Sequence, residues 1–336
     1  MNTIEERLLA IHRLSEVVSR RDEDLTTLLH SVKAHNQWFV QENVIQMLDA
    51  IRDHYLAEHR LINWLDHYQP LPKQRLATLG IVMAGNIPLV GFHDFLCGLV
   101  CGYQMKVKLS DKDALLLPYL CEQAEIGVEF VEFVERLPKC DRVIATGSNN
   151  SSRYFEYYFR EMKSIIRKNR TSVGVLSGNE SKDQLSLLGD DLLGYFGLGC
   201  RNISTLWIPE EMDETVLFDA ISKYSEYRNH NKYFNNFEYT SALYLLNLEE
   251  YKSDGVFNVR QSDQLFSRIS CVHYQRYSDM DQVHAFLLAH DDEIQCVASD
   301  IEGFDHPRGV KLGECQSPSL YDYPDGVDTM QVLLDV

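Results

Sequence analysis

The spacing of apolar and polar residues along the chain shows two periodicities, one typical of helices and one typical of strands. In the first seventy residues, apolar positions recur at helical spacing with charges between them, which predicts a mostly helical segment. Its expected core residues are Trp38, Phe39, Leu56, Leu61 and Trp64. After residue 79, short apolar runs alternate with longer helical patterns, which indicates a βαβα order.

The predicted elements form two successive α/β units. The expected strands are residues 79–84, 104–109, 142–145, 172–176 and 203–208. The expected helices are residues 93–100, 114–134, 154–166, 184–196 and 215–227. This alternation favours mostly parallel sheets covered on both faces. Because 336 residues exceed the usual size of a single core, we expect an α/β fold with two domains.

From this order of elements we expect the chain to divide into three segments. Residues 1–170 contain the helical N-terminal segment and the first α/β domain, and residues 171–310 form the second. Residues 311–336 contain Gly, Pro and Asp before a short apolar run at 330–334. We expect this last segment to be a closing strand or an oligomerisation arm.

Acidic residues outnumber basic ones, 50 to 32, which gives a formal net charge of -18. Such a charge repels nucleic acid and anionic membranes, and any anionic ligand needs a local positive or N–H-rich site. No apolar run approaches the roughly 18 residues that span a bilayer. The first twenty residues predict an amphipathic helix and not a secretion signal. Together with eight scattered cysteines, these features predict a cytoplasmic protein with reduced thiols.

Four short segments carry the candidate chemistry. Lys108, Ser110 and Asp111 are expected to follow a strand and open a helix, where free N–H groups favour phosphate. The alternative is a solvated lysine with a serine helix cap. Residues 146–148, Thr-Gly-Ser, form another strand-to-helix turn, where glycine permits close approach of a ligand; a plain turn is the alternative. Asn86 lies in the Gly-Asn-Ile-Pro segment at 85–88.

Cys200 follows a glycine-flanked segment between a predicted helix and a predicted strand. A cysteine at such an irregular junction can be a reactive thiol, although most cysteines are inert buried residues. Cys97 and Cys101, four residues apart on an apolar helix face, fit the buried alternative. The histidines and cysteines show no paired metal-ligand spacing, so we expect no metal.

Taken in order, these segments resemble the aldehyde dehydrogenase superfamily. Within it the chain is most similar to the acyl-CoA reductase branch, which includes the fatty-acid reductase of bacterial bioluminescence. The Gly-Asn-Ile-Pro, Lys-Leu-Ser-Asp, Thr-Gly-Ser, Val-Leu-Ser-Gly-Asn (175–179) and Gly-Cys (199–200) segments carry the resemblance, together with residues 313–316 and 322–329. It extends from about residue 80 to the end.

The resemblance implies a Rossmann-type cofactor domain in residues 1–170 and a second α/β catalytic domain in residues 171–310. It implies Cys200 as the nucleophile, Asn86 as an oxyanion donor, and six cofactor-binding residues: Lys108, Ser110, Asp111, Thr146, Gly147 and Ser148. The implied reaction is NADPH-dependent reduction of an acyl-CoA, with a fatty acyl group favoured, to the aldehyde, and CoA is released. NADH remains the alternative, because Asp111 favours an unphosphorylated ribose.

Hydrolysing aldehyde dehydrogenases have Glu where this chain has Val175, and that Glu acts as the general base. Val175 cannot do so, which predicts capture of the acyl enzyme by hydride or CoA and not by water. Glu180 lies beyond the Ser177-Gly178 turn and would have to reach back. A non-catalytic scaffold subunit and a cysteine thioesterase are the alternative functions. A homo-oligomer or an acyl-transfer partner enzyme is also expected from the resemblance.

Overall fold

The computed structural model describes residues 3–73 and 76–335, and the chain divides into two compact units. Unit 1 comprises Met1–Asn169 and Pro318–Val336, and unit 2 comprises Arg170–Ser317. The first division lies within one residue of the predicted boundary after residue 170. The last segment is divided differently from our expectation, because residues 311–317 group with unit 2 and only 318–336 return to unit 1.

Unit 1 begins with helices. Their bounds are α1 Ile4–Ser19, α2 Glu23–His35, α3 Gln41–Ala50 and α4 Glu58–His67. A capping box starts α1, because Thr3 and Glu6 satisfy each other's backbone N–H groups, and Asp22 caps α2. Of the expected core residues, Phe39, Leu56 and Trp64 are buried, whereas Trp38 and Leu61 pack partly buried against the same core.

A five-stranded parallel sheet follows, with the strand order β3-β2-β1-β4-β5. The strands are β1 Thr78–Val82, β2 Gln104–Lys108, β3 Val131–Phe133, β4 Arg142–Thr146 and β5 Lys163–Arg167. The accompanying helices are α5 Phe92–Val100, α6 Leu116–Gln123 and α7 Asn149–Tyr158. The order reverses between β1 and β4, and such a reversal is the usual ligand position of a Rossmann-type sheet.

Alternate residues of β1 supply two different cores. Leu79 and Ile81 join the large cluster that includes the N-terminal helices, whereas Val82 packs with Val143 and Ala145 of β4 in a smaller one. This is the period of two that a strand covered on both faces requires.

Unit 2 contains a seven-stranded sheet with the order β12-β11-β6-β7-β10-β9-β8. The strands are β6 Thr171–Val175, β7 Ile203–Pro209, β8 Lys252–Ser253, β9 Asn258–Gln261, β10 Cys271–Tyr277, β11 Ile294–Ala298 and β12 Gly309–Val310. The helices are α8 Lys182–Leu193, α9 Leu217–Ile221, α10 Asn231–Leu246 and α11 Met280–Ala289. All pairs are parallel except β8 with β9.

The end of the chain forms a helix, α12 Thr329–Leu334, and not the closing strand that was one of the two expectations; a role in oligomerisation stays a prediction. Asp328 caps it, and Met330 is fully buried in the core of unit 1. The buried guanidinium of Arg167 anchors the preceding loop. It forms a two-point ion pair with Asp94, at 2.7 and 3.1 Å, and donates to the Pro324 carbonyl at 2.7 Å.

Three predicted helices were too long. The helix expected at 114–134 ends at Gln123 and is followed by β3, and the one expected at 154–166 ends at Tyr158 and is followed by β5. Both strands are sheet edges whose pairing with β2 or β4 outweighs the local helical pattern. The helix expected at 215–227 contains only α9, Leu217–Ile221, between 3-10 turns.

None of the helices in the described ranges is long and apolar enough to cross a membrane.

Candidate active site

Cys200 lies between α8 and β7, in a four-residue turn formed by residues 199–202, which we call the Cys200 turn. All eight cysteines lie in the described ranges, and seven of them are buried while Cys200 is half-buried. Burial raises the pKa of Cys121 and Cys271 to about 12, so these thiols stay protonated and inert at neutral pH. Cys200 is therefore the cysteine whose exposure suits a nucleophile.

Asn202 closes the Cys200 turn. Its backbone N–H donates to the Gly199 carbonyl at 3.1 Å, and its side-chain Oδ1 accepts from the Gly199 N–H at 2.8 Å. Its Nδ2 donates to the carbonyls of Asp191 and Gly194, both at 3.0 Å. From β6, the Ser172 hydroxyl donates to the Cys200 carbonyl at 3.1 Å.

The chain reaches this turn through two residues in the left-handed region. Tyr195 and Phe196 have φ of +52° and +61°, and both side chains are buried. A non-glycine residue pays about 1–2 kcal/mol for this conformation. The Phe196 ring lies 4.3 Å from the Tyr227 ring and 4.4 Å from the His230 ring, between centroids, and this packing holds the strained segment.

A buried carboxylate fixes the segment beside the turn. Asp191 accepts hydrogen bonds from the backbone N–H groups of Gly313 and Cys315, at 2.6 and 3.0 Å. Burial raises the pKa of Asp191 to about 7, although these bonds oppose the rise. Arg201 of the turn donates through Nε to the Cys315 carbonyl, so the same segment also holds the turn.

Val175 ends β6 fully buried, in an apolar cluster with Val173 and Trp207. A glutamate at this position would place its charge in a core and could not serve as a base without repacking. The nearby Glu180 carboxylate already accepts hydrogen bonds from the Ser177 hydroxyl at 2.8 Å and from the Gly178 N–H at 3.0 Å.

In unit 1, Asn86 is half-buried in the loop after β1. The loop contains Leu89, whose φ is +52°, and the Leu89 N–H donates to Oδ2 of buried Asp113 at 2.7 Å. The other oxygen, Oδ1, finds no hydrogen-bond partner among the described residues. Burial raises the pKa of Asp113 to about 6.

Lys108, Ser110 and Asp111 line an open pocket of about 470 Å³ at the end of β2, which we call the β2 pocket. Its lining consists of Val107, Lys108, Leu109, Ser110, Asp111, Ala114, Phe133, Val134 and Glu135. The expected helix N-terminus is absent here, because α6 begins only at Leu116. A phosphate at this pocket would therefore have no helix end to bind.

Neighbouring segments hold the loop that forms the β2 pocket. Gly85 packs so closely on it that a Cβ atom would lie 2.7 Å from the Ser110 Cβ. From α2 and its C-cap, His35 bonds the Asp111 carbonyl and Asn36 donates to the Lys112 carbonyl at 3.1 Å. The N-terminal helices thus support the candidate cofactor loop.

Residues 146–148 form a strand-to-helix turn, as their pattern indicates. Thr146 ends β4, and the Ser148 side chain caps α7 by accepting from the Ser151 N–H. A Cβ on Gly147 would lie 2.8 Å from atoms of Phe155 and of Ser151. Packing of the turn on its own helix therefore accounts for this glycine without a ligand.

The topology places one set of candidates together. Because β1, β2 and β4 are adjacent and parallel, Asn86, residues 108–111 and residues 146–148 all lie at the carboxyl edge of one sheet. Cys200 is in unit 2. Sequence reasoning missed three buried anchors, Asp113, Asp191 and Asn202, since their burial gives no local sequence signal. In the described ranges, no three His, Cys, Asp or Glu side chains are grouped to hold a metal.

No protein-family model and no curated protein matches the chain by sequence. Solved structures do match. Substrate-bound AldH of Staphylococcus aureus is 14% identical with a TM-score of 0.62, over 95% of this chain and 83% of that one. An aldehyde dehydrogenase from Bacillus cereus in complex with NAD+ is 14% identical with a TM-score of 0.65, over 88% and 71%. An NAD-dependent aldehyde dehydrogenase from Sinorhizobium meliloti is 10% identical with a TM-score of 0.66, over 88% and 70%. The chain therefore has the aldehyde dehydrogenase fold, which confirms the predicted fold class.

Proposed function

We propose that this chain is an oxidoreductase of the aldehyde dehydrogenase type that reduces an acyl-CoA to its aldehyde through an acyl enzyme on Cys200. The observation that carries the proposal is the single half-buried cysteine, presented in a closed turn at the position that the sequence resemblance marks as the nucleophile. The aldehyde dehydrogenase fold supports the oxidoreductase class.

In the proposed first step, the Cys200 thiolate attacks the thioester carbonyl and a new C–S bond forms. The oxyanion collapses, the bond to the CoA sulfur breaks, and CoA leaves as a thiolate that takes up a proton. The Cys200 backbone N–H is one proposed oxyanion donor. Asn86 remains the second on the strength of the resemblance, and its substitution is a test of that assignment.

The β2 pocket suits the adenosine half of a dinucleotide. Its volume lies in the usual range for small-molecule sites, with an apolar wall that includes Phe133 and Val134. Lys108 and Ser110 would bond ribose hydroxyls, and the capped N-terminus of α7 at Ser148 supplies N–H groups for phosphate oxygens. When bound, a reduced nicotinamide supplies the hydride that converts the acyl group to the aldehyde.

The preferred donor is open to a direct test. The resemblance implies NADPH, but Asp111 and Glu135 add two carboxylates to the β2 pocket and would oppose a 2′-phosphate. The relative affinities of NADPH and NADH, measured by nicotinamide fluorescence, distinguish these alternatives.

Release of the acyl group as carboxylic acid is disfavoured in this proposal. Val175 is buried and apolar, and Glu180 is engaged by the Ser177 and Gly178 turn. No base from this segment is therefore available to activate water, and the acyl enzyme survives for hydride transfer. With aldehyde as substrate, oxidation should require CoA.

One assay tests the proposal. The protein is mixed with NADPH or NADH and acyl-CoAs of increasing chain length, while nicotinamide absorbance and free thiol are both followed. We expect nicotinamide oxidation and CoA release in equal amounts. Thiol release alone would indicate a thioesterase, and neither signal would indicate a scaffold subunit; either result overturns the proposal.

A further inference from the structure

Cys200 lies between two peptide groups that are both held by hydrogen bonds. The carbonyl of the Gly199–Cys200 peptide accepts from the Asn202 N–H, and the carbonyl of the Cys200–Arg201 peptide accepts from the Ser172 hydroxyl. Because a peptide group is planar, fixing its oxygen also fixes the direction of its N–H. The orientation of the Cys200 N–H is thus set by the closure of the turn.

The Asn202 side chain maintains this closure. It is only 4% exposed, and its three bonds join the turn to the end of α8. Its Nδ2 satisfies the carbonyls of Asp191 and Gly194, in the last turn of α8 and at its C-cap, where helix carbonyls lack partners within the helix. Its Oδ1 binds Gly199, the residue that leads into Cys200. An amide is the side chain that can donate twice and accept at once in this geometry.

We propose that Asn202 is a positioning residue, which orients the Cys200 backbone N–H toward the oxyanion formed during acylation. Ser172 of β6 holds the Cys200 carbonyl, on the other side of the residue, and so limits rotation of Cys200 as a whole. This inference rests on the proposed function. Asn202 does not touch the substrate in this role; it acts through Gly199. Loss of its side chain leaves the thiol in place but lets the N–H of the turn vary in direction.

The prediction is a split between two reactions of the same thiol. Acylation by a thioester develops an oxyanion and needs the oriented N–H, whereas alkylation by iodoacetamide displaces iodide at a saturated carbon and forms no oxyanion. In Asn202→Ala, the single-turnover rate of acylation by octanoyl-CoA should fall about 10- to 100-fold. Alkylation of Cys200, followed by intact mass and peptide mapping, should change less than about threefold.

Asn258→Ala is the matched control, because Asn258 is an equally buried amide of unit 2 that bonds Ser241 and not the turn. It should leave both rates within about twofold of the wild type. Ser172→Ala provides a milder second variant, which carries the test if Asn202→Ala fails to fold. Its acylation should fall about fivefold, the usual effect of one hydrogen bond, with alkylation unchanged.

The outcomes separate the two proposals. If the wild-type protein is acylated and the Asn202 and Ser172 variants match it, or if acylation and alkylation fall in parallel, the positioning role is wrong while the proposed function stands. If wild-type Cys200 is alkylated but no acyl-CoA acylates it, the proposed function fails and the positioning role fails with it.

Discussion

The loop after β1 in unit 1 and the Cys200 turn in unit 2 are held by buried polar side chains of different character. Asp113 holds the first through one hydrogen bond to Leu89 and leaves its second oxygen without a partner in the described ranges. Asn202 holds the second through a neutral amide whose three side-chain bonds are all made. The first anchor can ionise, and the second cannot.

Unit 2 also contains a buried carboxylate, Asp191, whose side chain binds the segment beside the Cys200 turn and not the turn itself. Asp191 binds Gly313 and Cys315 with both oxygens, yet burial raises the pKa of Asp191 to about 7, just as it raises the pKa of Asp113 to about 6. Both side chains are buried. At both carboxyl groups desolvation outweighs the hydrogen bonds that oppose it, whereas Asn202, which closes the Cys200 turn, has no titratable group.

The prediction with the largest expected effect distinguishes acyl transfer, which we assign to Cys200 of unit 2, from dinucleotide binding, which we assign to unit 1. Cys200→Ala should abolish acyl transfer, with a loss on the order of 10⁴-fold or more, because no other described thiol is comparably exposed. Dinucleotide binding, measured by nicotinamide fluorescence, should not change. Cys271→Ala is the control for a buried thiol. Acylation that persists without Cys200, or that maps to a buried cysteine, would refute the assignment.

The second prediction compares the two carboxylates by pH. In the folded protein the pKa of each carboxyl is raised above its usual value of 3.8. Between pH 3.8 and the raised pKa, the folded state therefore binds more protons than the unfolded state. The free energy of unfolding of the wild type falls as the pH rises through this range. Asp191→Asn should therefore gain about 4 kcal/mol relative to wild type between pH 4 and about pH 8. Asp113→Asn should gain about 3 kcal/mol, with its gain complete by about pH 7.

Urea unfolding at several pH values measures both gains. Asp191→Asn should also lower the free energy of unfolding by a constant amount, since asparagine cannot accept both backbone hydrogen bonds. This loss does not depend on pH. Parallel stability curves for a variant and the wild type would contradict the raised pKa at that site.

The third prediction concerns Asn86. If Asn86 donates to the oxyanion, Asn86→Ala should lower turnover roughly a hundredfold, since loss of one donor costs about 2.7–4 kcal/mol of barrier. Thermal unfolding should change little, because the residue lies half-buried in a loop. Turnover within threefold of wild type would remove Asn86 from the mechanism.

The fourth prediction tests the contact between the two loops of unit 1. Gly85→Ala would place a Cβ 2.7 Å from the Ser110 Cβ and should reduce the free energy of unfolding by about 1–3 kcal/mol. Adding Ser110→Gly removes the clashing atoms and should restore part of this loss. Denaturant unfolding of the single and double variants gives the answer, and additive losses would show that the contact is not the cause.

The smallest expected effect is at the β2 pocket. Lys108→Ala should weaken dinucleotide binding about tenfold, the value of a single charged hydrogen bond, and should leave acylation of Cys200 unchanged. Lys106→Ala is the control, because Lys106 lies on the same strand as Lys108 but pairs with Glu132 of β3 and does not line the pocket. If both variants bind alike, the loss reflects overall charge and not a contact.

Sequence patterns were sufficient for the central strands and for the turn at Ser148. Residues 79–82 and 142–145 lie on strands as expected, because apolar runs buried on both faces carry a strong local signal. The edge strands β3 and β5 lie where the local pattern predicts helix, since a strand with one neighbour has little apolar pattern of its own. The helix expected to open at Ser110 begins only at Leu116, because the loop instead binds α2 and its C-cap.

The amino-acid sequence by itself predicted the α/β class through local periodicity. It indicated the candidate nucleophile only through the resemblance that its ordered motifs carry. Tertiary structure alone decided what holds those residues. Asn202 acquires its role from carbonyls of Asp191 and Gly194, and Asp113 from the N–H of Leu89, twenty-four residues away. Burial and partners of this kind depend on how distant segments pack, and no local pattern encodes them.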